Sequence, residues 1–106
     1  MAKNQTMNIV NLVKNEVNKI VADNEVILFG SRARGDFRED SDWDFLILLK
    51  KETVSKAEKE KIREILYELE LATNEVISTI IHSENEWDTL AVTPIYQIIK
   101  EEGKRA

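Results

Sequence analysis

Residues 25–49 read EVILFGSRARGDFREDSDWDFLILL, two apolar runs bracketing a polar one. Glu25–Phe29 is β-branched and aromatic and closes on Gly30, the pattern of a buried strand ending in a turn. In the second run, Asp42–Leu49, period-two alternation puts Trp43, Phe45 and Ile47 on one face and Asp42, Asp44, Leu46 and Leu48 on the other. Between them, Ser31–Gly35 reads as a short helix or turn and Phe37–Ser41 as a polar loop.

Upstream, Met7, Val10, Val13, Val17, Ile20 and Val21 recur at helical spacing, which predicts an amphipathic helix over residues 6–22 ended by Asp23-Asn24. Downstream, Lys50–Thr53 is a polar turn. Ser55–Leu71 returns to helical spacing through Ile62, Ile65, Leu66 and Leu69, with Lys and Glu on the solvent side. Glu75–His82 reads as a third strand. Ser83 and Glu86 have capping-box spacing and predict a short helix. Thr93-Pro94 starts a last helix that runs through Ile95, Ile98 and Ile99 towards Gly103. This order predicts one α/β (α+β) domain over residues 1–106: a small mixed sheet of three or more strands flanked by helices.

Composition narrows the function. The 106 residues suit one compact domain, and a hydrophobic fraction of 42% argues against disorder. A formal net charge of −5 with one histidine, His82, makes bulk nucleic-acid binding a poor reading. The absence of cysteine removes disulfides, thiolate metal sites and cysteine nucleophiles. No apolar run reaches the roughly 18 residues of a membrane span. The expectation is a soluble, cytoplasmic protein without a membrane partner.

Chemistry concentrates at the turn and the acidic pair. A glycine ending a strand allows close approach of a phosphate to the backbone, because no Cβ intervenes. Ser31, where a short helix would begin, offers a hydroxyl beside outward N–H donors. On the dipeptide alone, an ordinary strand-to-helix turn with a serine cap explains these residues as well. Asp42 and Asp44 stand at i and i+2, so their carboxylates leave one strand face about 7 Å apart and can converge on a hard cation. A solvated strand entrance explains Asp-x-Asp taken alone.

Taken together, Gly30-Ser31, ten residues and then Asp42-Trp43-Asp44, with an apolar strand before each element, resembles the active-site motif of the DNA polymerase β-like nucleotidyltransferase superfamily. The closest likeness is to its small members, the minimal nucleotidyltransferases, and it extends to ISTIIHSENEW at 77–87 and TPIYQIIKEEG at 93–103. The resemblance implies a polymerase β-like fold and a nucleoside triphosphate, with ATP the favoured one, held by Gly30 and Ser31. It implies Mg²⁺ on Asp42 and Asp44, the catalytic pair. It also implies transfer of a nucleoside monophosphate to a hydroxyl with loss of pyrophosphate. A helical HEPN-type protein partner, in a toxin–antitoxin pair, is implied as well. Arg32 and Arg34 fit either a phosphate clamp or surface pairs with Asp36, Glu39 or Asp40.

One position departs from the pattern. The third carboxylate expected on the next strand aligns with Ser78, and the nearest acid, Glu75, has the opposite side-chain parity. Two functions therefore compete: an active transferase that modifies a protein hydroxyl, and a catalytically weak module of the same fold that neutralises its partner by contact. The lone His82 reads as structural. Trp87 and Tyr96 read as core or partner contacts. An apolar first-helix stripe and exposed C-terminal aromatics permit a homodimer without requiring one.

Overall fold

The computed structural model describes residues 2–106, with side chains from residue 9 onward. Met7, assigned by its spacing to the first helix's apolar stripe, lies outside the described side chains. The elements run α1 (Ala2–Ile20), β1 (Asn24–Phe29), α2 (Ser31–Arg34), β2 (Trp43–Leu49), α3 (Lys56–Thr73), β3 (Ile77–Ser83), α4 (Glu84–Thr89), α5 (Pro94–Glu102) and β4 (Lys104–Arg105). The sheet order is β3-β2-β1-β4. Strands β1–β2 and β1–β4 are antiparallel and β2–β3 is parallel, so the sheet is mixed.

Strand β2 lies between β1 and β3 and is apolar on both faces, as a central strand must be. Trp43, Phe45, Ile47 and Leu49 join a cluster with Ile9, Val13 and Val17 of α1 and Ile62 and Leu66 of α3. Leu46 and Leu48 point the other way, against Trp87 of α4 and Ile99 of α5. Helices α1 and α3 thus cover one face, and α4 and α5 the other. Asp44 shares the parity of Leu46 and Leu48 and opens onto the α5 side.

The helix starts follow local chemistry. Ser55 with Glu58 and Ser83 with Glu86 form complete capping boxes, satisfying otherwise orphaned N–H groups. The Thr93 side chain accepts from Tyr96 N–H, with Pro94 in the first turn of α5. Helix α3 ends on Asn74 in the left-handed conformation, and Glu70 then accepts from Ile77 N–H at 2.8 Å, tying the helix end to β3.

Two premises of the dimer expectation change here. The α1 stripe is spent on the domain's own core. The C-terminal aromatics are not an exposed pair: Trp87 is buried and stacks on Tyr96 with centroids 5.0 Å apart. His82 is half-buried, stacked 6.1 Å from Trp87, with Nδ1 3.6 Å from Glu86, which suits a structural residue. Among the described residues no helix is long and apolar enough to cross a membrane.

Candidate functional site

The β1–β2 register pairs Phe29 with Asp44, so the chain leaves β1 through Gly30 directly against the Asp44 carboxylate. Gly30 has φ 78° and ψ −161°, a region essentially closed to residues with a Cβ. A Cβ there would overlap Asp44 Oδ2 and stand 3.2 Å from Asp44 Cγ. Glycine is therefore required twice, by the backbone angle and by the carboxylate beside it. The short helix α2 follows, with Ala33 and Arg34 N–H both returning to Gly30 O at 3.0 Å. Gly30, not Ser31, holds the cap position, and there is no side-chain cap hydrogen bond. The serine-cap explanation of this dipeptide is thereby removed.

Asp42 is exposed, one residue ahead of the start of β2, and Asp44 is half-buried. Among the described residues, neither carboxylate lies within ion-pair distance of a basic side chain. Burial pushes the Asp44 carboxyl above the usual carboxylate range; the Asp42 and Glu102 charges add to this and Arg34 opposes it. A half-buried acid facing a like charge fits a divalent cation, which would relieve both costs. No group of three or more His, Cys, Asp or Glu among the described residues has metal-binding spacing. A cation at this pair would complete its shell with water and ligand oxygens, as Mg²⁺ commonly does.

On the other side of Asp44, the β2–β3 register pairs it with Ser78, which is exposed. No carboxylate occupies that cross-strand position. Glu75 belongs to the opposite face: its Oε2 accepts from Trp43 Nε1 at 3.2 Å and lies 3.9 Å from Arg32 Nη2. The parity that separates it from Ser78 is realised in the fold.

The two arginines, equivalent by sequence, differ in space. Arg32 is 6% exposed in its side chain and donates to Ser41 O (3.1 and 3.3 Å) and Glu39 O (3.0 Å). Its guanidinium lies between the Phe37 and Trp43 rings, 4.5 and 4.3 Å from their centroids. These contacts fasten the loop that leads to Asp42 and enclose the guanidinium. Arg34 is 46% exposed and pairs with Asp36 at 3.2 Å and Glu102 at 3.0 Å. The Asp36 pair was anticipated; the Glu102 pair was not. Glu102 Oε1 also accepts from Gly30 N–H at 3.2 Å, closing a contact between residues 72 apart in sequence. Only tertiary packing distinguishes Glu102 from its neighbour Glu101, so no sequence signal marked it.

Comparison with known proteins places this geometry. The profile of the nucleotidyltransferase domain family matches residues 10–105. A chain of Methanocaldococcus jannaschii, provisionally named a protein adenylyltransferase, is 41% identical over 80 residues, covering 74% of this chain and 80% of its own length. Three solved structures share the fold. A mutant of the toxin–antitoxin MntA-HpeT aligns with TM-score 0.63 at 16% identity, covering 90% of this chain and 69% of that one. A toxin–antitoxin with AMP-PNP aligns with TM-score 0.56 at 22% identity, covering 87% and 70%. A provisionally named nucleotidyltransferase from Sulfolobus solfataricus aligns with TM-score 0.59 at 23% identity, covering 98% and 84%.

Proposed function

The chain belongs to the nucleotidyltransferase domain family, and from that premise we propose that it transfers a nucleoside monophosphate, AMP from ATP, to a hydroxyl of a protein partner. The observation that carries this reading is the contact of Gly30 with Asp44: a Cβ-free turn and an acidic pair meet at the mouths of two adjacent strands. The Gly30–Ser31 turn and Arg34 would hold the phosphates, and Asp42 and Asp44 would hold Mg²⁺. When bound, Mg²⁺ would neutralise the triphosphate and polarise the phosphorus under attack. The hydroxyl oxygen of the acceptor forms a bond to the α-phosphorus, the bond to the β-phosphate oxygen breaks, and pyrophosphate departs. Arg32 serves the site at one remove, by fixing the Glu39–Ser41 backbone ahead of Asp42.

The name of the archaeal relative supports adenylyl transfer to protein, and the toxin–antitoxin neighbours support a partner toxin. We take that partner to be a helical HEPN-type protein. A second reading is favoured by Ser78 beside Asp44. A carboxylate there would take the hydroxyl proton, whereas a serine hydroxyl is a poor base, and the proton would pass to water. On that reading the protein binds nucleotide and restrains its partner by contact, with little turnover.

Incubation with ATP, Mg²⁺ and the partner, followed by intact mass spectrometry, separates the two. An AMP-sized increment on the partner, absent with Asp42→Asn or Asp44→Asn, supports transfer. Metal-dependent ATP binding without an increment leaves the contact module. Absence of nucleotide binding defeats both.

A further inference from the structure

We propose that Glu102 is a built-in stand-in for a substrate phosphate, occupying Gly30 N–H and Arg34 in the free protein and setting nucleotide affinity because it must be displaced. The inference rests on the nucleotide-site reading above and adds a residue to it. One carboxylate spans both donors: Oε1 accepts from Gly30 N–H at 3.2 Å and Oε2 from Arg34 Nη1 at 3.0 Å. A backbone N–H beside a guanidinium is the pairing that phosphate oxygens use, and a carboxylate is the side chain able to reproduce it.

The fold explains how Glu102 reaches this place. Its helix is anchored one turn earlier by Ile99, which is buried against Leu46, Leu48 and Trp87. Gly103 ends α5, donating its N–H to Ile99 O at 2.8 Å, and the chain continues into β4 beside β1. A Cβ on Gly103 would come within 2.7 Å of Ile27 Cγ2, so α5 is seated closely against β1. The backbone of Glu102 is thus fixed, while its side chain, 16% exposed, retains rotatable bonds. Rotation of that side chain frees both donors without moving the helix. The free site therefore carries Asp42, Asp44 and Glu102 together, and a ligand phosphate must replace the last of these.

Calorimetric titration with Mg²⁺–ATP tests this on the intact chain. Glu102→Gln keeps the shape but weakens both contacts, and Glu102→Ala removes them; each should tighten binding about tenfold. Glu101→Gln removes the same charge from the exposed neighbouring position and should change affinity by less than about twofold. In an Arg34→Ala background the gain from Glu102→Gln should shrink, because one of the two contacts is already lost. Thermal unfolding of each variant reports whether the helix end remains seated, and Glu102→Gln retains the packing if Glu102→Ala does not. Unchanged or weaker binding by Glu102→Gln overturns the inference and leaves the nucleotide site standing. An equal gain in Glu101→Gln also overturns it, since the effect would then be one of general charge. No binding by any variant, wild type included, removes the nucleotide site and this role with it.

Discussion

Replacing Gly30 with alanine tests the contact on which the site is built. Two costs act at once. Holding alanine at φ 78°, ψ −161° stores about 1–3 kcal/mol of backbone strain. Its Cβ would also collide with the Asp44 carboxylate, and crowding of this kind typically costs about 1–3 kcal/mol. The total of about 2–6 kcal/mol is a large share of the about 5–15 kcal/mol that stabilises a domain. The midpoint of thermal unfolding, followed by circular dichroism without ligand, should fall by about 10 °C or more. Gly35→Ala supplies the comparison. Gly35 also has a positive φ, 89°, but nothing lies within 4 Å of its added Cβ, so only the conformational cost of about 1 kcal/mol applies. An Asp44→Ala background removes the collision and should make Gly30→Ala cheaper by the crowding share. A fall of less than about 2 °C for Gly30→Ala would refute the reasoning. An undiminished cost in the Asp44→Ala background would refute the collision specifically.

Other perturbations address separate parts of the site. Asp44→Asn should abolish transfer while raising the unfolding midpoint of the ligand-free protein at pH 7. The Asp44 pKa is raised in the fold, so its charge costs stability above that pKa; the gain should shrink as pH falls towards the ordinary carboxylate range and the wild-type group protonates. Arg32→Ala should cost about 2–4 kcal/mol in urea unfolding, because it leaves two carbonyls and two ring faces without their partner, whereas Arg34→Ala should lower Mg²⁺–ATP affinity with little loss of stability. Ser78→Asp should speed AMP transfer in the mass-spectrometric assay if Ser78 stands where the proton acceptor is missing. Glu86, held below the usual glutamate range chiefly by the Ser83 backbone N–H, contributes stability above its unfolded pKa that is lost as pH falls through the folded value. Glu86→Gln keeps the capping hydrogen bonds without the charge and should flatten that acid limb in urea titrations at different pH values.

Legibility in the sequence followed the physics of each element. Strands β1 and β2 were readable because burial on one or both faces demands apolar runs, and β2 is apolar on both faces after Asp44. The Ser83 and Thr93 helix starts were readable because capping is local, the partners lying within three residues; the Ser55 start was read from apolar spacing, and its capping box with Glu58 adds the same local signal. The third strand begins at Ile77 instead of Glu75, although Trp43 N–H already bonds Val76 O, so the approach to the strand is partly paired. Strand β4 left no trace. Lys104 and Arg105 are both exposed, and they pair with β1 through backbone groups and a single surface ion pair, Arg105 Nη2 to Glu25 Oε1 at 3.3 Å, none of which leaves an apolar pattern in the sequence. The arginines were unreadable for a different reason. Two residues apart on one helical turn, they point in different directions, and only the fold sets one between two rings and the other beside Glu102.

The position of β2 in the sheet gives the two functional readings a common physical basis. Asp44 has one neighbour on each side: Phe29, leading into Gly30, across the antiparallel pair, and Ser78 across the parallel pair. On the proposed reading the first side supplies the phosphate turn and the second would supply the base. The two sides belong to strands that touch β2 but not each other. A substitution on β3 can therefore change turnover without disturbing the turn on β1. Ser78 is exposed on an edge strand, so replacing it meets little packing resistance. Gly30 has no such latitude, because backbone angle and carboxylate contact both demand glycine. Binding should thus be the rigid property of this fold and catalysis the adjustable one. Affinity for Mg²⁺–ATP should survive Ser78→Asp nearly unchanged even as the rate of transfer rises; a parallel change in both would show that the two sides of β2 are coupled.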